Sequence, residues 1–429
     1  MSAHTTGRKL PVRPNLDQLR HQARDLLRGI RRGDPSAIEE FNSHHPKPTA
    51  LDQAKLVDAQ LALARSYQSP SWPRLVQACK LIDAIWRDDV AAVRELVVKN
   101  PYLLYEPACI RESNWGPPLS YAANLGRDEI IKLLHQLGAT DLESAVGRAV
   151  LQGRIDTARM LHEMLGSPLP PEGALGGPAY TLSVSGTALM FELGARAFDE
   201  RAGRLAPVDV VLETDSRIPA AKHEILEMYV QHGLLLPDTA PMALHRGRID
   251  LLEEQLRRDP RLLQRTFSHE EIFPPELGCH DEVLATTGTP LAGATLLHMC
   301  VDYDELEIAR WLLDRGMNVD ARAAVDADGF GGHTALFATV VSLPNFWMNL
   351  KGQSQVAPFT ELLLEHGANP NARASLRKQL HPGYEPEHGD HLLHEYLDVT
   401  PLSWGARFNS KIFVSAPAMR LIDERGGHE

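Results

Sequence analysis

Cysteine is scarce in this chain: four in 429 residues, Cys79, Cys109, Cys279 and Cys300. No two stand at metal-ligand or redox spacing, which excludes a disulfide scaffold and a zinc or CxxC centre and leaves reduced thiols as the expectation. Aromatic residues make up only 6%, so a core has to be built mainly from Leu, Ala, Val and Ile. No apolar run approaches the roughly 18 residues of a membrane span. The opening MSAHTTGRKLPVRPN also lacks the apolar stretch of a secretory leader. A soluble, cytoplasmic protein without a membrane partner is expected. A nucleophile elbow, HExxH, a Walker loop and a dinucleotide fingerprint are all missing, so no residue set supports catalysis and no cofactor is implied.

An excess of positive charge is missing as well. The chain carries 44 Lys and Arg against 56 Asp and Glu, a net charge of −12, which excludes a chain-wide nucleic-acid footprint. The balance is uneven, since residues 1–32 hold eight basic residues against Asp17 and Asp25, a local +6 that leaves −18 for the rest. Arg20, Arg24, Arg28 and Arg31 fall at i, i+4, i+8 and i+11, one stripe of a helix. The stripe is read first as a solvated face or a partner of the acidic remainder, and only then as a nucleic-acid contact.

What is present is an ordinary globular composition, 43% hydrophobic and 23% charged. Its length exceeds the roughly 250–300 residues at which single cores stop growing, so two domains or one elongated array are expected. Thirty prolines and 31 glycines are spread along the chain, which fits many short elements joined by tight turns.

Internal repetition decides between these forms. GPPLSYAANLGRDEIIKLLHQLGA at 116–139 and ATLLHMCVDYDELEIARWLLDRGM at 294–317 superpose their apolar positions: Leu119 on Leu297, Ala122 on Cys300, Ile130 on Ile308, Leu134 on Leu312. Each reads as turn, short helix, tight connection, second helix and glycine cap, with Gly138 and Gly316 in the capping place. Further copies are GGHTALFATVVSL (331–343) with FTELLLEHGANPNARA (359–374), and VTPLSWGARF (399–408) with APAMRLIDERGG (416–427). GRID recurs at 153–156 and 247–250, each time before an amphipathic helix.

These residues resemble the ankyrin repeat, and the chain as a whole resembles bacterial ankyrin repeat domain-containing proteins. The resemblance implies an all-α helix-turn-helix solenoid of eight or nine degenerate repeats over 81–429, with insertions near 324–333, 343–357 and 375–397. A small N-terminal helical module is expected over 1–80, its first helix striped by Leu16, Leu19, Ala23, Leu26, Leu27 and Ile30 and capped by Asn15.

The resemblance also implies a non-catalytic scaffold, a monomer, that binds another protein through the concave face and hairpin tips. In repeat register, position five carries Tyr121, Met299 and Trp404, and position eight carries Asn124, Asp302 and Arg407. These are read as groove residues, with Tyr121 and Trp404 alternatively packed under the insertions. Phe346 and Trp347 either form a local core or anchor a partner. A pocket roofed by the three insertions, with His333, Asp326 and His394, is the competing reading for a small ligand or an enzyme.

Metal is a minor possibility. His388, His391 and His394 recur every three residues beside Glu385, Glu387 and Asp390, but Gly389 interrupts the helix, so a polar loop is expected. Asp326 and Asp328 lack the further acids of a calcium loop. His298 occupies the fourth position of a repeat start and is expected to bond turn backbone.

Overall fold

The structure, a computed structural model, describes residues 8, 10–47, 50–109, 116–280, 288–352, 356–379 and 393–429. The chain divides into two compact units, Met1–Pro170 and Pro171–Glu429.

The first unit opens with α1 (Leu16–Arg32), which buries Leu19, Ala23, Leu26, Leu27 and Ile30 on the stripe read from the sequence. Asn15 caps it, its side-chain oxygen accepting from the amides of Asp17 and Gln18 at 2.8 and 3.1 Å. α2 (Pro35–His44) and α3 (Leu56–Ser66) pack on α1. Phe41, Leu63 and Leu75 are fully enclosed in this core. α4 (Trp72–Trp86) contributes Leu75 and Cys79 to that core, runs through residue 80 and pairs with α5 (Val90–Lys99). Two further pairs follow: α6 (Pro118–Leu125) with α7 (Asp128–Gln136), and α8 (Leu142–Leu151) with α9 (Ile155–Met164).

The second unit continues the same unit of construction. Its pairs begin with α10 (Gly176–Tyr180) and α11 (Val184–Glu192), followed by the two-residue strands β1 (Phe198–Asp199) and β2 (Gly203–Arg204). Next come α12 (Val208–Glu213) with α13 (Pro219–Gln231), and α14 (Ala240–His245) with α15 (Ile249–Arg258). The one-turn α16 (His269–Ile272) precedes the pair α17 (Leu296–Asp302) and α18 (Leu306–Asp314).

The last two pairs carry insertions. Between α19 (Ala335–Val340) and α21 (Pro358–Glu365) stands an extra helix, α20 (Leu343–Leu350). An antiparallel hairpin, β3 (Ala374–Gln379) and β4 (Leu393–Val399), then leads into α22 (Pro401–Arg407) and the closing α23 (Ala416–Glu424). Among the described residues this makes three pairs in the first unit and six in the second. The glycine caps are as expected, with Gly138 and Gly316 at φ of 104° and 87°.

One such pair cannot enclose its own apolar face, so its neighbours do. The effect is extreme in the middle of the second unit: every residue of α17 and of α19 is buried. The closing helix shows the opposite. Ile422 is enclosed while Asp423, Glu424 and Arg425 face water, as a terminal repeat requires.

Candidate functional site

The residues assigned to the groove from repeat register are largely enclosed. Tyr121, Asn124, Met299, Asp302 and Trp404 are all at or below 3% exposure. Each has an internal role. The Tyr121 hydroxyl donates to the Val12 carbonyl at 2.9 Å, so the segment ahead of α1 lies over it. Asn124 donates to the Ser120 carbonyl and accepts a forked pair from Arg148 at 3.0 and 2.8 Å. Trp404 packs edge-on to Tyr396 of β4, 4.7 Å between centroids, which is the packing under an insertion left open by the sequence. Arg407 remains exposed, 5.9 Å over the Tyr396 ring.

The physical reason is visible in residues 288–290, which run across the inner helices of the second unit. The Thr289 amide and hydroxyl both bond the Val341 carbonyl, at 3.2 and 2.8 Å, and the Trp404 indole donates to the same hydroxyl at 3.1 Å. The chain thus fills its own concave face there. Repeat register cannot reveal this, because the covering segment belongs to an irregular connection between pairs.

Asp302 belongs to a buried ionic cluster. Arg217–Asp302 (3.1 Å) and Lys222–Glu305 (2.9 Å) both have side chains only 4% exposed. The two cations lie 4.6 and 4.3 Å from the Tyr303 ring centroid, and its hydroxyl donates to the Leu212 carbonyl. Burial pushes the Lys222 ammonium down, against the pull of Glu305. Burial alone would raise Glu305, but Lys222 and His223, the latter at 2.7 Å, hold it below the usual range. Lys222 makes an ion pair there rather than an aligned hydrogen bond. These groups sit two repeats apart in sequence, and they fix how the α12/α13 pair meets the α17/α18 turn.

Among the described residues of the second unit, the insertions stand beside two separate concave regions instead of roofing one pocket. At the hairpin end, residues 325–331 bridge to β3 through Gly331 and Ser375. Arg377 of β3 pairs with Asp326 and Asp328 at 2.8 and 2.7 Å and stacks 4.9 Å over Phe330. The two acids are therefore arginine partners. A groove of about 440 Å³ opens beside them, lined by Phe267, His269, Val325, Phe330 and Arg377 among others. β4 alternates: Tyr396 is buried on Trp404, whereas Leu393, Glu395 and Leu397 face out. Leu393, Leu397 and Val325 are 53%, 59% and 61% exposed.

At the opposite end, α20 forms an arch. The Trp347 indole donates to the Asp215 carbonyl at 2.5 Å, and Phe346 packs tilted on Phe413 and edge-on to Trp347 as a local core. Beneath it lies a cleft of about 280 Å³ whose wall includes Arg217, Asp304, Trp347, Lys351, Phe359 and Thr360. His333 is elsewhere, fully enclosed with Nε2 on the Pro290 carbonyl at 3.0 Å. His394 lies against Asn409.

The remaining sequence readings fall out simply. His298 holds turn backbone, its Nε2 3.1 Å from the His333 carbonyl and its Nδ1 accepting from the Thr295 hydroxyl at 2.8 Å. Arg20 and Arg28 pair with Asp17 and Asp25 of their own helix, Arg31 reaches the Ala54 carbonyl, and Arg24 faces water. His388, His391, Glu385, Glu387 and Asp390 lie outside the described residues. Among the described residues no group of three His, Cys, Asp or Glu could hold a metal ion, and no helix is long and apolar enough to cross a membrane.

The ankyrin repeat family model matches residues 292–324, the stretch that carries α17, α18 and the following turn. No curated protein matches the chain. Solved structures that are similar at low identity include two ankyrin repeat domains. One is the crystal structure of the human ASB11 ankyrin repeat domain: 18% identity, TM-score 0.27, covering 73% of this chain and 99% of that one. The other is that of the ankyrin repeat domain of Bcl-3: 17% identity, TM-score 0.22, covering 67% and 99%. Helix-pair construction and the family match together define an all-α array of ankyrin-type repeats. Arrays of this kind are generally protein-interaction modules.

Proposed function

We propose that this protein is a non-catalytic scaffold that binds another protein through the hairpin end of its second unit. The observation that carries the reading is the outer face of β4, where Leu393 and Leu397 stand more than half exposed beside a groove with Phe330 and Arg377. Exposed aliphatics on a rigid element next to an aromatic and an arginine are the residue types concentrated at interface centres. The filled concave face moves the partner from the inner helices to these tips. The experiment is capture of partners by the full chain and by Leu393→Asp plus Leu397→Asp. Loss of a specific partner in the double variant, with unfolding midpoint unchanged, supports the reading; an identical set of partners contradicts it.

A further inference from the structure

The arched cleft is separate from that docking face and has its own chemistry. Asp304 stands at the turn between α17 and α18 with φ of 60°, the left-handed place that Gly153 and Gly247 hold in other pairs at 64° and 66°. The turn explains an Asp, Asn or Gly there. It does not explain the carboxylate, which lines the cleft and has no partner among the described residues. Neighbouring charges are already matched: Arg217 to Asp302, Lys222 and His223 to Glu305. Lys351 lines the same cleft, with its ammonium over the Trp347 ring, 6.0 Å from the centroid. Asp304 is itself solvent-exposed on the cleft wall; the protein packed around it, with a smaller push from Glu305, raises its carboxyl to about 6.

Two more wall groups suit a cation carried on an apolar body. The Trp347 indole is fixed by its bond to Asp215, and an indole face attracts ammonium groups. Thr360, fully enclosed on α21, has a hydroxyl oxygen with no partner. Phe359, Val301 and Val356 supply the apolar remainder, and the volume of about 280 Å³ is near the roughly 300 Å³ at which small-molecule pockets begin.

We propose that this cleft binds a primary ammonium group on a short apolar body, with the ammonium on Asp304 and the body against Trp347 and Phe359. The ammonium belongs either to a free amine or to a lysine side chain of a protein. Isothermal titration of the full chain separates these with three probes: phenethylamine, Nα-acetyl-lysine methylamide, and 3-phenylpropionate as the anionic counterpart. Saturable binding of phenethylamine, of the lysine derivative or of both is expected, with none for the propionate; the tighter cation names the source. Asp304→Asn keeps a residue that tolerates the left-handed turn, so its unfolding midpoint should hold while affinity falls roughly 10- to 100-fold. Thr360→Val should weaken binding by roughly 2- to 10-fold. No binding of either cation at millimolar concentration, equal affinity in Asp304→Asn, or equal affinity for the propionate would each overturn the assignment.

Discussion

His298 and His333 are held neutral by enclosure. Burial lowers His298 to about 4 and, with the added repulsion of His298, lowers His333 to about 3. A base whose folded value lies below its unfolded value near 6.5 favours folding while both states are neutral, and loses that advantage once the unfolded chain takes up protons first. Stability should therefore be full above about pH 6.5 and decline as pH falls towards 4, by about 3 kcal/mol for His298 alone. Urea titrations at pH 7.5 and 5.0 check this. His298→Gln should flatten the difference, and an unchanged difference would remove the histidine from the account. Lys222 offers a second residue-scale test. Lys222→Met leaves Glu305 enclosed with only His223 beside it and should cost about 3 kcal/mol, whereas replacing both partners, Lys222→Met with Glu305→Leu, should cost much less.

At the scale of elements, the sequence was readable wherever local rules act. Asn15, the α1 stripe and the Gly138 and Gly316 caps appear where expected because capping and apolar periodicity are decided within a few residues. Exposure of the inner helices was not readable. Tyr121 and Trp404 stand at positions that face a groove only if nothing crosses them, and Val12 and Thr289 cross them from distant sequence. Among the described residues, α20 and the β3–β4 hairpin stand at opposite ends of a helix pair, beside two separate concave regions. Trp404 is fully enclosed, and Trp404→Ala should cost about 3–5 kcal/mol. A thermal or urea midpoint reports it, and any partner lost with that variant is lost through unfolding. Leu393→Asp with Leu397→Asp should stay within about 0.5 kcal/mol of the parent, because the outer face of β4 is open to water.

For the whole molecule, a scarcity of cysteine and aromatics proved compatible with a long chain because stacked pairs share their burial in small increments. The same economy leaves little side-chain chemistry to spare, and what there is gathers at the insertions. In the basic entry helix Arg20 and Arg28 pair with Asp17 and Asp25 while Arg24 faces water; as a solvated face, it should tolerate Arg24→Glu plus Arg28→Glu with both stability and any weak duplex DNA binding nearly unchanged in a salt-controlled titration. The central claim is that the protein works by presenting its hairpin end to a partner. Quantitative mass spectrometry of proteins captured from the native host tests it most directly, comparing the full chain with Leu393→Asp plus Leu397→Asp. The account predicts at least one specific partner that disappears from the double variant while its unfolding midpoint is preserved; the same partners in the same amounts on both would contradict it.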